Sequence, residues 1–150
     1  MALPDSNSGS ESLPPSQNKR SLIIIGAGQA GRELARTLSK RWEITVLDLD
    51  ESRLERLRKE LPNRNIRLLA KDGTSRLNLK EAGLDDAEWL AALTNKDATN
   101  AEACRIARTS ATPPTTIAIM RRPEHQAWFK DSDTEIVSRP EAVARLVMNR

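Results

Sequence analysis

The 150-residue chain has no tyrosine, one cysteine, one histidine and one phenylalanine. Cys104 has no partner for an internal disulfide, and with His125 as the only imidazole it cannot complete a tetrahedral zinc site of Cys and His ligands. Without tyrosine, every mechanism that protonates a carbonyl through a phenol is excluded. No apolar run approaches the roughly 18 residues needed to cross a bilayer, and the N-terminus lacks the basic start and apolar stretch of a secretory signal. The sequence therefore predicts a cytoplasmic location. An excess of one charge is also missing: 24 Lys+Arg stand against 21 Asp+Glu, a net charge of +3. With no basic run interleaved with stacking aromatics, no nucleic-acid partner is expected.

What remains is enough for one domain. The hydrophobic fraction is 38% and the charged fraction 30%, which suits a single globular core once a polar segment is set aside. That segment is residues 1–20, with five Ser, three Pro and one Gly; its composition predicts a disordered tail ahead of a domain at residues 21–150. From Ser21 short apolar runs alternate with helical patterns. Strands are expected at Leu22–Ile25, Glu43–Leu47, Ile66–Ala70, Trp89–Leu93, Thr115–Met120 and Glu135–Val137. Helices are expected at Gly31–Lys40, around Leu54, Leu57 and Leu61, and at Leu77–Ala82, Ala98–Arg108, Glu124–Lys130 and Glu141–Met148. Six strands in two halves of three match an α/β fold, a doubly wound parallel sheet of Rossmann-like order 3-2-1-4-5-6.

The chemistry concentrates at Gly26-Ala27-Gly28-Gln29-Ala30-Gly31, directly between the first strand and the helix that follows. In that context Gly26 permits a tight turn, Gly28 lets a pyrophosphate approach the backbone, and Gly31 lets the helix pack closely on the strand. The N–H groups at the helix start face the phosphates. Asp48 follows the second strand, 22 residues after Gly26, where a carboxylate accepts hydrogen bonds from an adenosine ribose. It disfavours a 2′-phosphate, so NAD or another adenine nucleotide is expected rather than NADP. Asp50 is a rival for the role, but it equally suits a helix cap. Two further loops lie at carboxyl ends of strands: Lys71-Asp72-Gly73-Thr74 and Thr94-Asn95-Lys96-Asp97. Each supports two readings. One is ligand contact; the other is turn chemistry, with Gly73 at positive φ and Thr74, Asn95 and Asp97 as helix N-caps.

These motifs, taken in order, resemble the N-terminal RCK domain, also called the KTN domain, of bacterial Trk and Ktr potassium uptake systems and of ligand-gated potassium channels. The matching words are IIIGAGQAGRELARTL at Ile23–Leu38, ITVLDLDESRLERL at Ile44–Leu57, KDGTS and LKEAGLDDAE between Lys71 and Glu88, and ALTNKDATNAEAC at Ala92–Cys104. The Trk-type peripheral subunits, whose fingerprint also reads GAGQ, are the most similar. The resemblance implies that Gly26–Gly31 hold phosphates, Asp48 the ribose, Gly73 and Thr74 the neighbourhood of the adenine, and Thr94 and Asn95 the strand-four side of the ligand. Two positions depart from the family: Lys71 replaces the Gly of its Gly-Asp motif, and Ile119 replaces a ligand-reaching Arg, for which Arg121 can substitute by strand periodicity. Family members usually continue into a second lobe, so the chain is expected to be a minimal regulator or a fragment of a longer product.

The implied function is a nucleotide-binding regulatory domain that binds NAD or NADH, or ATP or ADP, and controls a membrane potassium transporter or channel subunit. Its expected place is then the periphery of the inner membrane, reached through that transporter. The alternative is a small NAD-dependent oxidoreductase or redox-sensing NAD-binding protein. An enzyme is disfavoured because tyrosine is absent, His125 sits beside no Ser or Cys motif, and Cys104 reads as a buried helix residue. Trp128 and Phe129, with Val143, Leu146 and Val147 of the terminal helix, have no following strand to cover them, so a homo-oligomer joined through the last two helices is expected, the alternative being that these helices cap the domain's own sheet.

Overall fold

The computed structural model describes residues 20–62 and 64–149. Six strands, β1 (Arg20–Ile25), β2 (Trp42–Leu47), β3 (Ile66–Leu69), β4 (Trp89–Ala92), β5 (Thr115–Ile119) and β6 (Glu135–Val137), form one sheet in the order β3-β2-β1-β4-β5-β6. Every pairing is parallel. Among the described residues, four α-helices connect strands, α1 (Gln29–Leu38), α2 (Glu51–Glu60), α3 (Arg76–Glu81) and α4 (Asp97–Arg108), and α5 (Glu141–Met148) follows β6. The expected order of strands and helices is present, with ends that differ by one or two residues. Pro123–Phe129 is a 3-10 segment rather than an α-helix, and a short 3-10 turn at Leu84–Asp86 was not anticipated. Among the described residues, no helix is long and apolar enough to cross a membrane.

The central strand carries the layering. Leu22, Ile23, Ile24 and Ile25 are all at most 2% exposed, and alternate side chains go to opposite faces. Leu22 and Ile24 join Leu34 and Leu38 of α1, Leu54 and Leu57 of α2, and Val143 and Val147 of α5. Ile23 and Ile25 join Leu79 of α3 and Ala103, Cys104 and Ala107 of α4. A strand covered on both faces needs a continuous aliphatic run, and that is what β1 has.

Two expectations change. Arg20, placed in the tail by composition, is the first residue of β1 and pairs with Trp42 across the sheet. Its guanidinium lies 3.1 Å from Glu88 and 4.4 Å from the Trp42 ring centre, contacts that composition cannot show. The rest of the tail lies outside the described residues. The apolar surface expected from the last two helices is also mostly absent. Val143 and Val147 are 1% and 0% exposed and face the sheet, while Phe129 is buried against the α4 side. Leu146 is partly buried, which leaves Trp128, at 52%, as the one exposed member of the five. The terminal helix covers its own domain because it packs over α1, which the sequence order alone does not reveal.

Candidate functional site

The chain crosses the sheet in opposite directions on leaving β1 and β4, so the loops after these neighbouring strands part and open a crevice at their carboxyl ends. Gly26 ends β1 with φ +107°, a left-handed conformation available at little cost only to glycine. A Cβ there would meet the Thr94 Cγ2 at 3.0 Å, so the two loops are in contact as well. At Gly31 a Cβ would come within 1.8 Å of the Gly26 carbonyl oxygen; glycine is what lets α1 start this close to β1. Gly28 differs from both: its backbone is extended and a Cβ would meet nothing within 4 Å. Space lies open above it.

That space faces the start of α1, where helix geometry leaves the first N–H groups without intrahelical partners. No side chain caps α1 and no acid sits in its first turn. By contrast, Asp50 accepts from Ser52 N–H to cap α2, and Ser75 accepts from Asn78 N–H to cap α3. An uncapped helix start under an open glycine is suited to an anion.

Asp48 is tied to this turn. One carboxylate oxygen accepts from Ala27 N–H at 2.7 Å and the other from Asp50 N–H at 2.8 Å, and the side chain is only 8% exposed. Arg53 stands 3.7 Å from both Asp48 and Asp50. The carboxylate thus holds β2 to the glycine turn, with lone pairs left for a hydroxyl. Asp50 is committed to its cap, and its carboxyl is held below the ordinary value by the Ser52 hydroxyl and N–H.

Two clefts meet across Gly26. The smaller, about 340 Å³, is lined by Ile25, Asp48, Leu49, Gly73, Lys96 and Thr99, among others. The larger, about 730 Å³, runs past Gly28, Gln29, Ala30, Arg32, Arg121 and Glu141. Gly26, Arg53, Thr94 and Asn95 line both. Of the residues expected at the site, these two clefts bring together Gly26, Gly28, Gln29, Ala30, Asp48, Gly73, Thr94 and Asn95. Ala27 and Gly31 are buried beneath the turn and act through the backbone. Thr74 lines neither cleft; its hydroxyl and N–H both donate to Asp72, which keeps that carboxyl below its ordinary value.

Several turn assignments are corrected by the backbone. Gly73 is not at positive φ; among the described glycines only Gly26 and Gly83 are. A Cβ on Gly73 would strike the Ile25 side chain at 2.6 Å, so close approach and not φ requires glycine. Ser75, not Thr74, caps α3. Neither Asn95 nor Asp97 caps α4: Lys96 is the cap residue without a side-chain bond, and Asp97 is already helical.

The organiser missed in the sequence is Asn100, which is 0% exposed. Its amide oxygen accepts from Thr94 N–H and hydroxyl, and its NH₂ donates to the carbonyls of Thr94 and Ile119. It joins the loop after β4 to the end of β5. The signal was available: Asn100, Ala103, Cys104 and Ala107 share one helical face, and a polar residue on an apolar stripe needs buried partners. His125 and Cys104 contribute nothing to either cleft. His125 faces Asp97 and stacks on Trp128, and burial pushes the Cys104 thiol up to about 12.

Residues 22–140 match the family model of the TrkA-N domain. The Trk system potassium uptake protein TrkA of Halomonas elongata is 43% identical over 101 residues, covering 67% of this chain and 21% of that protein. The chain spans about a fifth of the length of three of the curated relatives it matches and 56% of a fourth, a TrkA homolog of Methanothermobacter thermautotrophicus. Among solved structures, the TrkA-N domain of the inner membrane protein ybaL from Escherichia coli aligns with TM-score 0.69 at 18% identity, over 87% of this chain and 96% of that one. The GsuK channel bound to NAD aligns with TM-score 0.67 at 20% identity, over 84% of this chain and 22% of that one. GsuK has also been solved bound to ADP.

Proposed function

Because the chain belongs to the TrkA-N domain family, we propose that it is a nucleotide-binding regulatory domain of potassium transport whose ligand is NAD or NADH, with ATP and ADP sharing the adenosine half that the site grips. The observation that carries the reading is the continuity of the two clefts over Gly26, at the parting of the loops from β1 and β4. Adenosine occupies the smaller cleft, its ribose donating to Asp48 and its base lying along Ile25, Leu49 and Gly73. The pyrophosphate lies over Gly28 and the uncapped start of α1. The remainder extends along the larger cleft. The Asp48 carboxylate at the ribose end disfavours a 2′-phosphate.

The whole nucleotide-binding unit starts at Arg20 and the partner is a membrane-embedded potassium transporter or channel subunit, which keeps the chain at the cytoplasmic side of the membrane. Assembly with further copies belongs to the same proposal, although Phe129, Val143 and Val147 are buried in the domain's own core and unavailable to it. In this reading nothing is turned over, and regulation requires only that the ligand bind two conformations with unequal affinity. The test is a melting series with NAD, NADH, ADP and ATP. Ligand at about 100 times its dissociation constant stabilises by roughly 2.7 kcal/mol. A melting temperature unmoved by all four overturns the reading, and NADH fluorescence that changes on mixing and then stays constant separates regulator from oxidoreductase.

A further inference from the structure

Asp97 opens α4 but spends its carboxylate on another loop. It is 7% exposed, and all of its recorded partners come from the segment after β5. Both oxygens lie 3.0 Å from Arg121 N–H, one also accepts from Arg122 N–H at 3.1 Å, and the same oxygen is 2.8 Å from His125 Nδ1. Burial raises the carboxyl, yet the two N–H groups and the His125 ring outweigh it and hold Asp97 below its ordinary value.

On the far side of the same loop, Arg121 lines the larger cleft. The other arginines there are already engaged: Arg32 donates to the Ala27 carbonyl and faces Glu60 at 3.7 Å, and Arg53 faces Asp48 and Asp50. Arg122 is paired with Glu124. Among the described residues, Arg121 alone of these four has no recorded partner for its guanidinium. A long cation is most effective toward an anion when its backbone root is already fixed, because less freedom is then lost on binding.

We propose that Asp97 is a positioning residue for nucleotide binding: by clamping the loop after β5 it holds the Arg121 guanidinium against the phosphates. The inference rests on the nucleotide reading above and adds to it a residue that touches no ligand. Its signature is selectivity. Losing the clamp weakens phosphate-bearing ligands and spares adenosine, whereas general damage to the domain weakens both.

The experiment titrates the full chain with adenosine, ADP and NADH. Arg121→Ala is expected to weaken ADP and NADH about tenfold, as for loss of one charge-assisted hydrogen bond, and to leave adenosine within about twofold. Asp97→Asn, which keeps the volume and one acceptor, is expected to show the same selectivity. The double variant is expected to bind ADP no more weakly than Arg121→Ala alone, since the two act through one contact. His125→Ala removes one donor of the clamp at a half-buried side chain and serves if Asp97→Asn does not fold; a smaller loss confined to ADP and NADH supports the clamp. Equal losses for adenosine and ADP in the folded clamp variants, or additive losses in the double variant, overturn the proposal. A wild-type chain that binds none of the three overturns the nucleotide reading itself. If the wild type binds ADP and Arg121→Ala binds it equally well, only the clamp proposal fails.

Discussion

Gly28 and Gly31 stand three residues apart in one fingerprint, yet substitutions at the two should separate binding from folding. At Gly31 a Cβ would lie 1.8 Å from the Gly26 carbonyl oxygen, where 3.0 Å is the closest that real Cβ atoms come. Backbone, not a flexible side chain, blocks it, so Gly31→Ala must push α1 off β1. Overpacking of that kind costs about 3 kcal/mol or more, which for a domain of this size lowers the melting temperature by about 12 °C. At Gly28 a Cβ meets nothing within 4 Å and φ is −75°. Gly28→Val loses up to ~1 kcal/mol as a poorer N-cap and gains ~0.4–1 kcal/mol from a stiffer unfolded chain. These nearly cancel, so it should melt within about 3 °C of wild type. The same side chain fills the space over the start of α1, and an overlap of ~1–3 kcal/mol with a phosphate there is about a 5- to 150-fold loss of affinity. Differential scanning calorimetry without ligand, followed by NADH titration, measures both quantities. A Gly31→Ala variant as stable as wild type would refute the close-packing argument, and a Gly28→Val variant with unchanged NADH affinity would refute the phosphate placement.

Asp48→Ala should cost stability as well as affinity, about 1–3 kcal/mol, because Ala27 N–H and Asp50 N–H both lose their acceptor; Asp48→Asn keeps an acceptor, and urea denaturation should show it losing much less. Asn100→Ala strands Thr94 N–H and the Ile119 carbonyl at a fully buried site. A loss of ~2–4 kcal/mol is expected, and a loss under ~1 kcal/mol in the same assay would show that water replaces the amide. Asp97 has its carboxyl lowered in the folded state from an ordinary 3.8. The stability it contributes is therefore present above about pH 4 and lost as pH falls through the lower folded value. Urea midpoints between pH 6 and pH 2.5 should drop more steeply for wild type than for Asp97→Asn, and equal slopes would remove Asp97 from the acid-sensitive groups.

Much of this molecule is local in origin and was readable from the chain. The aliphatic run at Leu22–Ile25, the alternation of short strands with helices, and glycines at Gly26, Gly28 and Gly31 each depend on neighbours within a few residues, so sheet order and glycine turn follow from pattern. Arg20 was misread because one residue beside a Ser- and Pro-rich stretch has no local sign that it faces Trp42 and Glu88 across the sheet. The surface of α5 was misread for the same kind of reason: Val143 and Val147 point at α1 and the sheet only once the chain has folded back over them. At the site, the sequence indicated which loops converge but not what each side chain does there. Asp48 and Gly73 both line the smaller cleft, yet one is a staple between β2 and the glycine turn and the other makes room for Ile25. Asp97 and Asn100 looked like ordinary residues of a helix start. Their partners, Arg121, Arg122, His125 and Ile119, lie 19 to 28 positions further along, and only parallel pairing of β4 with β5 brings those groups within hydrogen-bonding distance. Sequence determines such residues' chemistry, but the burial that makes their hydrogen bonds obligatory is a property of the assembled fold.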